Sequence, residues 1–169
     1  MILAGFAALA ASAYYLLLRW IEASRKRVEE YNGVLALLLH MRGTLSSGGG
    51  RLCDMVRDFE SVALDENGLL EVLRADCVGD STDAVSGGFF RDNLSRVRFC
   101  IDFEDSQRLL DYLRVYGKCY TGEERRKLDE IVEHFRERNK CASEKSERNI
   151  KAARTVFAFV FVGVFILLL

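Results

Sequence analysis

The chain has no proline in 169 residues, where average usage would supply roughly eight. Proline breaks helix interiors, so its absence suits an all-helical chain. Histidine is nearly as scarce, with only His40 and His134. No GxSxG, HExxH or usefully spaced Cys–His arrangement occurs, so no catalytic set is legible. The five cysteines, Cys53, Cys77, Cys100, Cys119 and Cys141, form no CxxC pair and are odd in number. That is neither a zinc pattern nor a good disulfide framework, and it predicts reduced thiols in a reducing compartment. The net charge of −1 gives no reason to expect a nucleic-acid partner.

Charge is missing from both ends. Met1 to Leu18 carries none, and neither does Thr155 to Leu169. Eighteen residues reach about 27 Å as a helix, close to the ~30 Å hydrocarbon core of a bilayer. A cleaved signal is the competing reading, since "ASA" at Ala11 to Ala13 has the form of a cleavage site. A signal normally has a basic start and ends its apolar run before the cut. Here no basic residue precedes the run, and "YYLLL" continues past the site. The last fifteen residues reach only about 22 Å as a helix. Ala152 and Ala153 extend that run, and Lys151 and Arg154 are long enough to snorkel to headgroups. A lone strand cannot satisfy its backbone in lipid, so both ends are expected to be transmembrane helices.

The ends also look fitted to each other. Ala4, Ala8 and Ser12 recur every four residues as a small stripe, and Phe157, Phe161 and Phe165 as a bulky one. Small stripes let membrane helices approach closely, so the Phe ridge is expected to pack into the Ala groove of an antiparallel hairpin.

Basic residues beside spans stay on the cytoplasmic side. Arg19, Arg25, Lys26 and Arg27 follow the first run, and Lys140, Lys145, Arg148, Lys151 and Arg154 precede the second. Both clusters belong to the middle segment, which is therefore predicted to be cytoplasmic. Between them, Val28 to Asn139 holds 15 basic and 22 acidic residues, a net −7.

The predicted organisation is a span over 1–20, a helical bundle of about six helices over 21–150, and a second span over 151–169. Val28, Tyr31, Leu35, Leu38 and Leu39 give the first helix an apolar face. "GTLSSGGGR" at Gly43 to Arg51 is expected to break it. Leu52, Met55, Val56, Phe59 and Val62 suggest a second helix, and Leu69, Leu70, Val72 and Leu73 a short third. Phe89, Phe90, Leu94 and Val97 suggest a fourth. A fifth begins near Asp102 and ends near Gly117. "TGEE" at Thr121 to Glu124 is a capping box opening the last helix. After Phe135 its apolar face thins out, with Asn139, Ser146 and Asn149 on the later turns, and nothing breaks it before Gly163, so it is expected to leave the bundle there and enter the membrane unbroken.

The chemistry-bearing residues are few. "SSGGGR" lacks the GK[ST] ending of a phosphate loop and follows no strand. Glu130, Glu133, His134 and Glu137 share one helix, but a di-iron bundle needs paired Glu-x-x-His motifs. They read as a solvated face, with no cofactor implied. "RRK" at Arg125 to Lys127 is a candidate docking patch for an acidic partner. Nothing in the sequence points to an enzyme.

This layout resembles the stage III sporulation protein AB family of endospore-forming Firmicutes, over nearly the full chain. The best local matches are "LLDYLRVYGKCYTGEERRKLDEI", Leu109 to Ile131, and "VEEYNGVLALLLHMRGTLSSGGGRLCDMVRDF", Val28 to Phe59. The family's domain is similar to the cytoplasmic domains of F-type platform proteins of type II secretion and type IV pilus machines. The resemblance implies a platform in the mother-cell membrane around the forespore, within a secretion-like channel complex. The implied partners are the lipid bilayer, the cytoplasmic ATPase stage III sporulation protein AA, and the other proteins of that operon. Rival readings are a generic two-span adaptor or signalling scaffold, and a lipid-anchored surface protein processed near "CAS" at Cys141 to Ser143.

Overall fold

Long runs free of proline and rich in Leu, Ala, Glu, Lys and Arg have little to stop a helix once it has started. The computed structural model follows that logic. It describes residues 2–47, 52–78, 96–116 and 121–168, with side chains given for 11–47, 52–75, 96–116, 122–159 and Gly163. All regular structure among them is helical: α1 (Ile2–Ser46), α2 (Leu52–Arg57), α3 (Val62–Glu66), α4 (Leu69–Val78), α5 (Phe103–Val115) and α6 (Thr121–Leu168).

Helices α1 and α6 form the frame. They run antiparallel in a constant register. Arg42 Nε lies 2.8 Å from Asp129 Oδ1, and Asn139 Nδ2 donates to Asn32 Oδ1 at 2.7 Å. At the far end the Tyr14 and Phe157 rings stand 5.2 Å apart. Each step forward on α1 is matched by a step back on α6 over 28 residues, or about 42 Å of helix.

The core fills the wider end of this frame. Tyr31, Val34, Leu37, Leu38 and Met41 of α1 meet Leu128, Val132 and Phe135 of α6, and both meet Leu109 and Leu113 of α5. Leu52, Met55, Leu64, Leu69 and Leu73 close it from the short helices. Burying one such side chain is worth about 1.5–3 kcal/mol against leaving it in water. Two glycines permit the close packing. A Cβ on Gly33 would meet Ser61 Oγ at 2.8 Å and Leu64 Cγ at 3.1 Å, so α3 lies directly on α1 there. Gly68, at φ +84, makes the left-handed step between α3 and α4.

Several sequence expectations are corrected. Helix α1 continues past Gly43 to Ser46. Its last turn is held by Thr44, Ser46 and Ser47, whose hydroxyls donate back to the carbonyls of His40, Arg42 and Gly43. The second helix stops at Arg57, and Val62 opens α3 at 77% exposure instead of closing a core. Val97 lies outside any helix, while Phe89, Phe90 and Leu94 fall outside the described residues. Helix α6 stays paired after Phe135, because Asn139 bonds to α1 and Ser146 is buried. Cys53 is disulfide-bonded, so the five cysteines are not all reduced thiols. Cys100 and Cys141 are free.

The terminal runs are helical to Ile2 and to Leu168. Among the described residues no helix is long and apolar enough to cross a membrane.

Candidate functional site

Three apolar helix stripes carry polar residues out of place. On α1, Glu30 shares a face with Val34, Leu37 and Met41. On α5, Asp105 shares one with Leu109 and Leu113. On α6, His134 and Arg138 continue the stripe of Ile131 and Phe135. A charge on a buried stripe must find a partner, and here the partners are one another.

Asp105 is the hub, with its side chain 4% exposed. It accepts from Tyr31 Oη at 2.5 Å, from His134 Nε2 at 2.8 Å and from Arg138 Nε at 2.6 Å. Burial alone would raise its pKa. The hydrogen bonds from Tyr31, Arg138 and His134 outweigh that and hold it below the ordinary carboxylate value. Burial, then the neighbouring Asp105, pushes the Tyr31 phenol up to about 12. Arg138 is raised, chiefly through its hydrogen bond to Asp105. His134 Nδ1 lies 2.9 Å from Arg108, so this histidine is a half-buried bridge and not part of a solvated face.

Asp102 stands at the N-cap position of α5, yet its carboxylate does not cap the helix. It turns instead to Arg138, 2.7 Å away, and Arg27, 3.4 Å away. Glu30 holds the stretch leading to it. Its Oε2 accepts from the Cys100 and Ile101 amides at 2.5 and 3.1 Å, and its Oε1 accepts from Asn67 Nδ2 at 2.5 Å. Arg27 Nε donates to the Cys100 carbonyl at 3.0 Å. Arg27, Glu30 and Tyr31, one turn of α1, thus clamp residues 100–102 and aim α5 at α6. This is a structural lock built from charge-assisted hydrogen bonds.

Two concavities flank the lock. A groove of about 390 Å³ lies between α5 and the start of α6, lined by Tyr112, Tyr116, Lys127, Ile131 and His134 among others. The Tyr112 hydroxyl is buried there without a partner among the described residues. A cleft of about 560 Å³ opens between α1 and α6 on the side of the chain termini. Its floor is Tyr31, Asp102 and Arg138, and its upper walls are Trp20, Ser24, Lys145, Ser146 and Asn149.

The residues singled out from sequence divide. Arg27 is exposed and takes part in the lock through the Cys100 carbonyl and Asp102. Arg19, Arg25, Lys26, Lys151 and Arg154 are exposed. In the "RRK" patch, Arg126 lies 3.4 Å from Glu130 and Lys127 lies 2.9 Å from Glu123, so only Arg125 stands outside these pairs. Phe157 packs on Tyr14. The side chains of Ala4, Ala8, Phe161 and Phe165 lie outside the described residues, as does that of the capping Thr121. Among the described residues no group of three His, Cys, Asp or Glu side chains is arranged to hold a metal ion.

Sequence reading missed Glu30, Asp102 and Asp105. The signal was available, because each interrupts or heads an apolar periodicity. The partner each would meet was not. Compared with known proteins, the chain matches no family model, no curated protein and no solved structure.

Proposed function

We propose that this chain is a non-enzymatic membrane platform, whose helical bundle is carried on two terminal membrane helices and serves as a docking body for a cytoplasmic partner. One observation carries the reading. Helices α1 and α6 pass without interruption, in constant register, from the bundle toward the two charge-free ends. Exposed Arg19, Arg25, Lys26, Lys151 and Arg154 gather where those ends begin. That arrangement suits an anchored hairpin with its basic collar at the headgroups. The resemblance to the stage III sporulation protein AB family supplies the specific form: a mother-cell membrane component of a secretion-like channel, working with the ATPase stage III sporulation protein AA. A generic two-span adaptor fits the same geometry.

The test is vesicle flotation of the full chain, followed by co-purification with a stage III sporulation protein AA ATPase. Flotation that persists in alkaline carbonate, and retention of the ATPase, would support the platform. A chain that stays in the aqueous fraction would overturn it. The disulfide at Cys53 favours a second orientation, because disulfides persist in oxidising compartments. Membrane-impermeant maleimide separates the two: labelling of Cys100 and Cys141 in intact cells would place the bundle outside.

A further inference from the structure

The cleft between α1 and α6 has no role in the lock that forms its floor. Its contents are one-sided. Asp102 is the single carboxylate among its lining residues, and two guanidinium groups already answer it, Arg138 at 2.7 Å and Arg27 at 3.4 Å. Above that floor, Trp20, Ser24, Lys145, Ser146 and Asn149 offer an indole N–H, two hydroxyls, an ammonium and an amide. Lys145 has no ion-pair partner among the described residues. Glu22, Glu144 and Glu147 lie close in sequence but do not line the cleft. A pocket of hydrogen-bond donors with one unanswered cation selects an anion with several acceptor oxygens.

Its position selects the source of that anion. Trp20 and Asn149 form the rim on the side facing the apolar ends, one residue from Arg19 and two from Lys151. Tryptophan favours the headgroup level, with its ring apolar and its N–H wet. We propose that this cleft binds the phosphate of an anionic phospholipid headgroup, an inference that rests on the membrane reading above. The phosphate sits between Lys145 and the Ser24 and Ser146 hydroxyls, and the Trp20 ring covers it toward the bilayer. The site makes the bundle's seating depend on lipid charge.

The chain's only tryptophan reports on the site. Detergent-solubilised full-length protein is titrated with short-chain phosphatidylglycerol, with short-chain phosphatidylcholine, and with inorganic phosphate, following Trp20 emission. Phosphatidylglycerol is expected to give a saturable change that phosphatidylcholine does not. Half-saturation rises roughly five-fold in Lys145→Gln, the loss of one cation near a lipid charge, and is unchanged in Lys140→Gln. Ser24→Asp, which places a carboxylate in the cleft, abolishes the response while helical circular dichroism is retained. Equal responses to the two lipids, or a Lys145→Gln variant identical to wild type, would overturn the site. Displacement by inorganic phosphate at equal concentration would overturn the lipid as its source. Flotation of the wild-type chain with phosphatidylcholine vesicles is run in parallel. Floating chain with no headgroup preference defeats the cleft alone, whereas chain that does not float defeats the membrane reading on which it rests.

Discussion

Tyr31 and Asp105 are 74 positions apart in the chain, and the phenol donates to the carboxylate at 2.5 Å in a buried setting. The bond ties the middle of α1 to the first turn of α5. Arg138 and His134 then tie the same carboxylate to α6. Three helices thus meet at one oxygen pair.

Asp105→Asn is expected to destabilise the bundle by about 1.5–3 kcal/mol, because it removes the buried charged acceptor that Tyr31, His134 and Arg138 share, while Arg138 keeps Asp102 as a partner. Tyr31→Phe keeps the ring packed on Phe135 and loses one hydrogen bond to a charged acceptor, about 1.5–3 kcal/mol. Denaturant unfolding of the two variants and of the double variant measures both terms. A double variant no worse than Asp105→Asn alone would show that they act through one network.

The acid limb of stability follows from the same carboxylate. The Asp105 pKa is depressed in the folded protein, since its hydrogen bonds outweigh burial. Its contribution is therefore complete above the unfolded value of about 3.9 and is lost as pH falls below it. Unfolding midpoints of wild type should drop over that interval, and those of Asp105→Asn should drop less.

At the alkaline end the sign reverses. Burial pushes Tyr31 and Tyr116 up to about 12 and raises Tyr112 as well. Stability from these neutral phenols is present below about pH 10 and is lost as pH climbs through the folded values. A phenolate absorbance titration of the folded protein should leave these three tyrosines unionised at about pH 10.5, while all six respond in denaturant.

Gly33→Ala forces a Cβ to 2.8 Å from Ser61 Oγ and 3.1 Å from Leu64 Cγ. The Ser61 hydroxyl can rotate away, but Leu64, fully buried on α3, must give by a few tenths of an ångström. The expected cost is about 1–3 kcal/mol, read from the unfolding midpoint. Gly43→Ala meets nothing within 4 Å and should be neutral or slightly stabilising, which makes it the matched control.

The register of the frame is open to cross-linking. In a background with the five native cysteines replaced, Asn32→Cys with Asn139→Cys should be joined by a short thiol–thiol cross-linker that spans the space the two amides fill, since the tips of those side chains meet at 2.7 Å. Asn32→Cys with Lys140→Cys, a step of about 100° round the helix, should not. Equal yields from both pairs would mean that the helices slide.

Much of the fold was legible because helices announce themselves locally. The unbroken run from Thr121 and the continuity of α1 follow from missing proline, repeated apolar positions and favourable pairs such as Glu123–Lys127. The short connecting helices were read less well. Phe59 and Val62 keep a helical rhythm, but the chain turns between them so that α3 can reach Gly33, and that close approach is a tertiary fact. The candidate site was less legible still. Glu30 and Asp105 are visible in sequence only as charges at apolar positions. What each binds, the amides of Cys100 and Ile101 or a trio of donors from two other helices, depends on contacts across 29 to 74 residues. Thinning apolarity after Phe135 misled for a physical reason. Two helices can stay paired through a polar contact such as that of Asn32 and Asn139.

Helix α6 has no hinge along its course from Thr121 to Leu168. It behaves mechanically as a single beam about 70 Å long. The lock grips that beam about a third of the way along, and α1 is braced to it on both sides of the grip. A tilt imposed at one end must therefore appear at the other as a sweep of the whole bundle, with the small helices carried along as cargo. A few degrees at the apolar end would move Arg125 and its neighbours by several ångströms, so the protein is built to transmit orientation rather than to absorb it.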